Sequence, residues 1–221
     1  MVVASAVPER ASDALLICVA RFGLSKTTLD DVAREAGCSR ATLYRYFDGK
    51  SALVMHSVDV ELARMTALAV AAADREASLA DAVVALVTVS ARELVGHAAL
   101  QFLLAHEPES VLGQLAFGPG DRLLVRVGDA YAPAFHRWMS HDDARRAGDW
   151  LARILRSYVL MPKPSIDLTD TGVARSFLEE LVVPGLETSV RSERERLRAR
   201  GREAGTPPSS ERAMEQGYPG S

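Results

Sequence analysis

The chain has 221 residues, 48% of them hydrophobic and 25% charged, with a formal net charge of -3 and a mean hydropathy of +0.02. Those values describe a globular chain large enough for one extended core or two modest domains, and they exclude an intrinsically disordered one. No apolar run approaches the roughly 18 residues of a membrane-spanning helix, and the start MVVASAVPERAS lacks the basic region and long apolar stretch of a secretory signal, so a cytoplasmic location is expected.

In chain order, residues 1–8 read as an arm, and the apolar spacing of Leu15, Cys18, Val19 and Phe22 predicts a helix closed by Gly23. Thr28 with Asp31 three residues on forms a capping-box pattern that opens a second helix, which Gly37 ends by offering the left-handed conformation at low cost. Ser39 caps a third helix with Leu43 and Phe47 turned inward and Arg40, Ala41, Thr42, Tyr44 and Arg45 turned outward. Asp48 is expected to cap a long helix over 49–73. Ser78 and Asp81 open a helix to about Leu94, apolar on nearly all sides and so central, which Gly96 and His97 interrupt.

Shorter helices are expected over 98–105 and 108–116, and Gly118, Pro119 and Gly120 break the chain before a helix over 121–139. Ser140 caps a helix over 141–160, and a last packed helix covers 170–183. Arg191 to Glu203 carries six arginines against three glutamates without an apolar stripe, and the remainder is rich in Pro, Gly and Ser, so 189–221 reads as a charged, solvated tail. No strand periodicity stands out, and the fold class is all-α. Cys18 and Cys38 suit small buried hydrophobes in a reducing compartment and do not complete a zinc set; neither a metal nor a cofactor is expected.

The segment TTLDDVAREAGCSRATLYRYFDGKSAL resembles the DNA-binding signature of TetR-type transcriptional repressors. Thr28, Ala33, Ala36, Gly37, Ser39, Leu43, Tyr44, Phe47, Lys50 and Leu53 stand at that pattern's spacing, while Cys38, Ala41 and Tyr46 depart from its commonest residues. The resemblance covers about the first quarter of the chain. It implies a helix-turn-helix domain over 9–57, joined by the long helix to a helical effector-binding and dimerisation domain over 58–188.

In such a module the second helix enters the major groove with its N-terminal side chains at base edges. Arg40, Ala41 and Thr42 are then candidate base contacts, Arg40 because its planar fork matches the two acceptors of guanine. Thr28, Ser39, Tyr44, Arg45 and Lys50 are candidate phosphate contacts. Read singly, Tyr44 is a half-buried packing residue, Lys50 a surface lysine and Thr28 a cap; the shared spacing favours DNA. Residues 1–58 hold seven bases against six acids, but between Ser39 and Lys50 three bases face only Asp48, so the docking surface is locally positive.

By the same resemblance, Trp150, Leu151, Ile154 and Tyr158 of one helix and Phe177, Leu178 and Leu181 of the last are candidates for a four-helix homodimer interface, which would make the operator near-palindromic. The other reading is that both helices only complete a monomer core. His97, Phe102, Leu103, Phe117, Tyr131, Phe135 and Trp138 are the bulky or polar residues of the middle helices that could line a pocket for a small organic effector. A constitutive, architectural DNA-binding protein is the alternative. Neither a nucleophile elbow nor a phosphate loop is present, so an enzyme is not expected.

Overall fold

The computed structural model describes residues 6–115, 119–188 and 191, and every element it contains among them is helical. Three helices build the first unit: α1 (Ala6–Phe22), α2 (Leu29–Glu35) and α3 (Arg40–Tyr46). Helices α2 and α3 have seven residues each, too short to persist alone, so caps and burial must hold them. Thr28 supplies the cap of α2: its hydroxyl accepts from the Asp31 amide at 3.2 Å and its own amide donates to the Asp31 carboxylate at 3.0 Å. Gly37 makes the turn with φ +65°, and the Thr42 amide donates to Ser39 Oγ at 3.0 Å to start α3.

The core beneath these caps joins Leu15, Cys18 and Val19 of α1, Val32 and Ala33 of α2, and Leu43 and Phe47 around α3. Leu53 from α4 (Gly49–Ala73) closes it, and so do Ala99 and Leu103 of α6 (Ala98–His106). Helix α6 therefore comes from far along the chain to pack on α1. Glu107 extends the junction by accepting from the Ser25 amide at 3.1 Å and the Ser25 hydroxyl at 3.0 Å.

The larger core is organised around α5 (Leu79–Gly96), buried along Leu79, Val83, Leu86 and Val87 as its all-round apolar character requires. Against it pack α4, α9 (His141–Leu160) and α10 (Thr171–Leu181). Helix α7 (Pro108–Leu115) leads to α8 (Pro119–Tyr131), which lies on α9. That crossing needs two glycines: a Cβ on Gly128 would sit 2.8 Å from the Asp149 amide nitrogen, and one on Gly148 would strike the Gly128 carbonyl. No single helix among the described residues is long and apolar enough to cross a membrane.

Three expectations need correction. Asp48 makes no capping hydrogen bond; its ψ of 70° turns it away from the cap geometry, and Gly49 at φ +83° makes the turn into α4. Helix α8 ends at Tyr131, not near Met139, because Pro133 has no amide hydrogen and diverts the chain into a 3-10 turn over Ala132–Phe135. Phe22, placed on the inward stripe of α1, is half exposed.

Candidate nucleic-acid interface and effector cavity

One face of α3 carries Arg40 and Tyr44, one turn apart and both open to solvent. Arg40 is oriented by three contacts: an ion pair to Asp30 of α2 at 3.1 Å, a hydrogen bond donated to Tyr44 Oη at 3.3 Å, and its guanidinium 5.4 Å from the Tyr44 ring centroid. Ala41 beside it is exposed and offers no bulk. Thr42 and Ser39 share a hydroxyl contact at 2.8 Å, so both are engaged in starting the helix. The Arg45 guanidinium stands 5.9 Å from the Tyr46 ring.

The other candidate phosphate contacts lie at helix starts. Thr28 is exposed, its hydroxyl 2.5 Å from Asp31 Oδ2. Its hydrogen bonds hold the Asp31 carboxyl below the usual range. The Lys50 ammonium folds back to donate to the Leu24 carbonyl, tying the start of α4 to the end of α1. Asp30 is the member of this surface that sequence reasoning missed; it stands ten residues from Arg40, and no helical spacing predicts that pair.

The residues expected to line a pocket disperse. Tyr131 does line a cavity of about 120 Å³ between α4, α5, α8 and α9, at the level of Leu62, Met65, Leu94, Leu124 and Leu155. Burial pushes its hydroxyl up to about 12, against the lowering effect of the Ser90 hydroxyl 2.8 Å away. His97 lies outside that wall: its Nδ1 accepts from the Leu100 amide at 3.1 Å to cap α6, while Nε2 stands 3.5 Å from Glu61 of α4. Leu103 belongs to the first core, and Phe102 stacks on His106 at 4.4 Å. Phe135 is fully buried in the second core, Trp138 packs at its edge under Arg137, and Phe117 lies outside the described residues. The missed wall residues are spread over α4, α5, α6, α8 and α9, and the wide apolar stripe of α9 is the signal the sequence held for those on that helix.

The helices proposed for pairing divide similarly. Trp150 is 63% exposed and Leu181 64% exposed, whereas Leu151 and Leu178 are sealed inside their own subunit. Ile154, Tyr158 and Phe177 are half-buried, with the Tyr158 and Phe177 rings edge to face at 5.4 Å. Among the described residues no group of three His, Cys, Asp or Glu side chains could hold a metal ion.

Residues 13–56 match the family model described as bacterial regulatory proteins, tetR family. An uncharacterized HTH-type transcriptional regulator of Mycobacterium tuberculosis is 29% identical over 159 residues, covering 71% of this chain and 73% of that one. Among solved structures, the TetR family repressor AlkX from Dietzia, implicated in biodegradation of n-alkanes, superposes with a TM-score of 0.67 at 23% identity, over 83% of this chain and 96% of that one. The fatty acid degradation regulator FadR from Bacillus halodurans gives 0.55 at 14% identity, over 79% and 95%. At such identities the likeness is one of fold.

Proposed function

We propose that the chain is a TetR-type transcriptional regulator that acts as a homodimer on a near-palindromic operator, as a repressor released by a small organic effector; the match of residues 13–56 to the family model and the shared fold support this reading. The carrying observation is that the reading head and the cavity share two helices. Helix α4 gives Leu62, Met65 and Thr66 to the cavity and Leu53 to the head's core; α6 gives Leu100 to the cavity and Ala99 and Leu103 to that core. A ligand that fits one arrangement of α4 and α6 better than another therefore biases the placement of α3, which is what an effector must do.

The polar contacts behind the wall favour a linked movement. Glu61 accepts from Arg64 at 3.0 Å and faces His97, and Arg64 also reaches Glu93 of α5 at 2.9 Å. In this proposal Arg40, Ala41 and Thr42 meet base edges, and Thr28, Ser39, Tyr44, Arg45 and Lys50 meet phosphates. Arg40 exchanges Asp30 for guanine, and Lys50 exchanges the Leu24 carbonyl for a phosphate. The effector acts inside the cell, where the operator is.

The test is binding of the purified protein to a labelled duplex from the intergenic DNA beside its own gene, against a scrambled duplex, across a salt series. A preference of about a thousandfold or more is expected. Arg40→Ala should lose about tenfold to a hundredfold on the specific duplex alone, and Lys50→Ala should weaken both duplexes alike. Equal losses on both duplexes for both variants would refute the assignment of base and phosphate contacts. Specific binding indifferent to every metabolite tried would favour the constitutive alternative.

A further inference from the structure

Two histidines stand apart from both the reading face and the cavity. His136 follows the 3-10 turn of Ala132–Phe135, its amide donating to the Pro133 carbonyl at 3.4 Å, and His141 is the first residue of α9. Their rings meet across the bend between the two elements: His141 Nδ1 lies 3.3 Å from His136 Nε2, with the ring centroids 5.2 Å apart and the planes tilted by 38°. Both side chains are exposed, and among the described residues neither ring makes another hydrogen bond.

The bend is fixed by its own contacts, so the backbone brings the rings together. The Trp138 and Met139 amides both donate to the Phe135 carbonyl, at 2.9 and 3.2 Å, and Met139 is buried. Ser140 caps α9 by accepting from the Asp143 amide at 3.3 Å. Arg137, between the two histidines in sequence, commits its charge elsewhere: it donates to the Glu76 and Ala73 carbonyls at the end of α4 and lies 3.8 Å over the Trp138 ring.

Two neutral imidazoles can each offer one lone pair at this separation. As a hydrogen bond, 3.3 Å is long. As a pair of ligands it needs no adjustment: nitrogens about 2.0 to 2.1 Å from one tetrahedral ion are about 3.3 to 3.4 Å apart, whereas adjacent corners of a square plane bring them to about 2.9 Å. Imidazole nitrogen also selects zinc over magnesium or calcium, which take oxygen. No third His, Cys, Asp or Glu completes the set among the described residues, so the remaining positions fall to water.

We propose that His136 and His141 form a two-histidine site for zinc, open on its solvent side. The assignment is independent of the effector reading. An ion held there fastens the 3-10 turn to α9, across the bend whose Arg137 grips the end of α4.

Calorimetric titration of the metal-free, full-length protein with zinc chloride, beside magnesium chloride, tests it. One zinc ion per chain should bind with a micromolar dissociation constant, and magnesium should not bind. Zinc affinity should fall at least tenfold from about pH 7.5 to about pH 5.5, because protons take the same lone pairs. His136→Asn and His141→Asn should each lose at least tenfold, while His106→Asn, at an exposed histidine elsewhere, should bind as the wild type does. X-ray absorption at the zinc edge should show nitrogen and oxygen neighbours at about 2.0 Å and no sulfur, a wild-type result that stands even if a variant fails to fold. No zinc binding, sulfur neighbours that put the ion at Cys18 or Cys38, affinity unchanged in both histidine variants, or half an ion per chain shared between two copies would overturn the proposal.

Discussion

In the proposed complex, Arg40 would reach DNA already engaged within the protein. Its pair with Asp30 has both partners more than half exposed, so solvent screens it and it adds little stability; its effect is to orient the guanidinium and to offset a positive charge at the docking surface. Asp30→Asn should therefore tighten binding to specific and scrambled duplexes alike by a few-fold at low salt, measured by fluorescence anisotropy. A loss confined to the specific duplex would instead make Asp30 a positioning residue for base reading. Carboxyl groups also set the acid limit of the fold. Asp31 is held below the usual range chiefly by the Thr28 hydroxyl, Asp81 by the Ser78 hydroxyl and Arg175, and Asp167 by the Thr169 hydroxyl. A depressed pKa contributes stability that is complete above the unfolded value of about 4 and is lost as pH falls through the folded value. These groups should leave Tm unchanged from pH 8 to 5 and lower it below about pH 4, with a shallower fall in Thr28→Ala. A Tm that stays level down to pH 2 would contradict this.

At the scale of elements, the crossing of α8 and α9 is the least forgiving contact. Gly128→Ala places a methyl against the Asp149 backbone, which cannot rotate aside as a side chain can, so a loss of about 1 to 3 kcal/mol and a lower Tm are expected. An unchanged Tm would mean that the two helices separate at small cost. Helix starts were legible in the sequence because caps are local: Ser39, Ser78, Ser140 and Asp170 each accept from an amide three residues on. The end of α8 was legible in principle, since Pro133 is a breaker that the apolar spacing around it obscured. The cavity was not. Its wall depends on how four helices face one another, and side chains such as Phe102 and Phe135 have ordinary places in two different cores that no periodicity distinguishes.

For the whole molecule, the proposed dimer turns on large apolar side chains left outside the subunit core. Trp150 and Leu181 are exposed on α9 and α10, and burying them against a second copy would gain about 1.5 to 3 kcal/mol for each fully buried side chain. Leu181→Glu should shift the protein toward monomer in analytical ultracentrifugation and weaken operator binding by at least tenfold, with helicity unchanged; a stable dimer in that variant would place the interface elsewhere. The docking of α6 bears on how such a protein can be taken apart. Because Ala99 and Leu103 fill part of the first core, the reading head is not a cassette that ends where α4 begins. A head transplanted onto a foreign sensor would arrive with an open socket on α1, and the new host would have to bring a helix shaped to plug it.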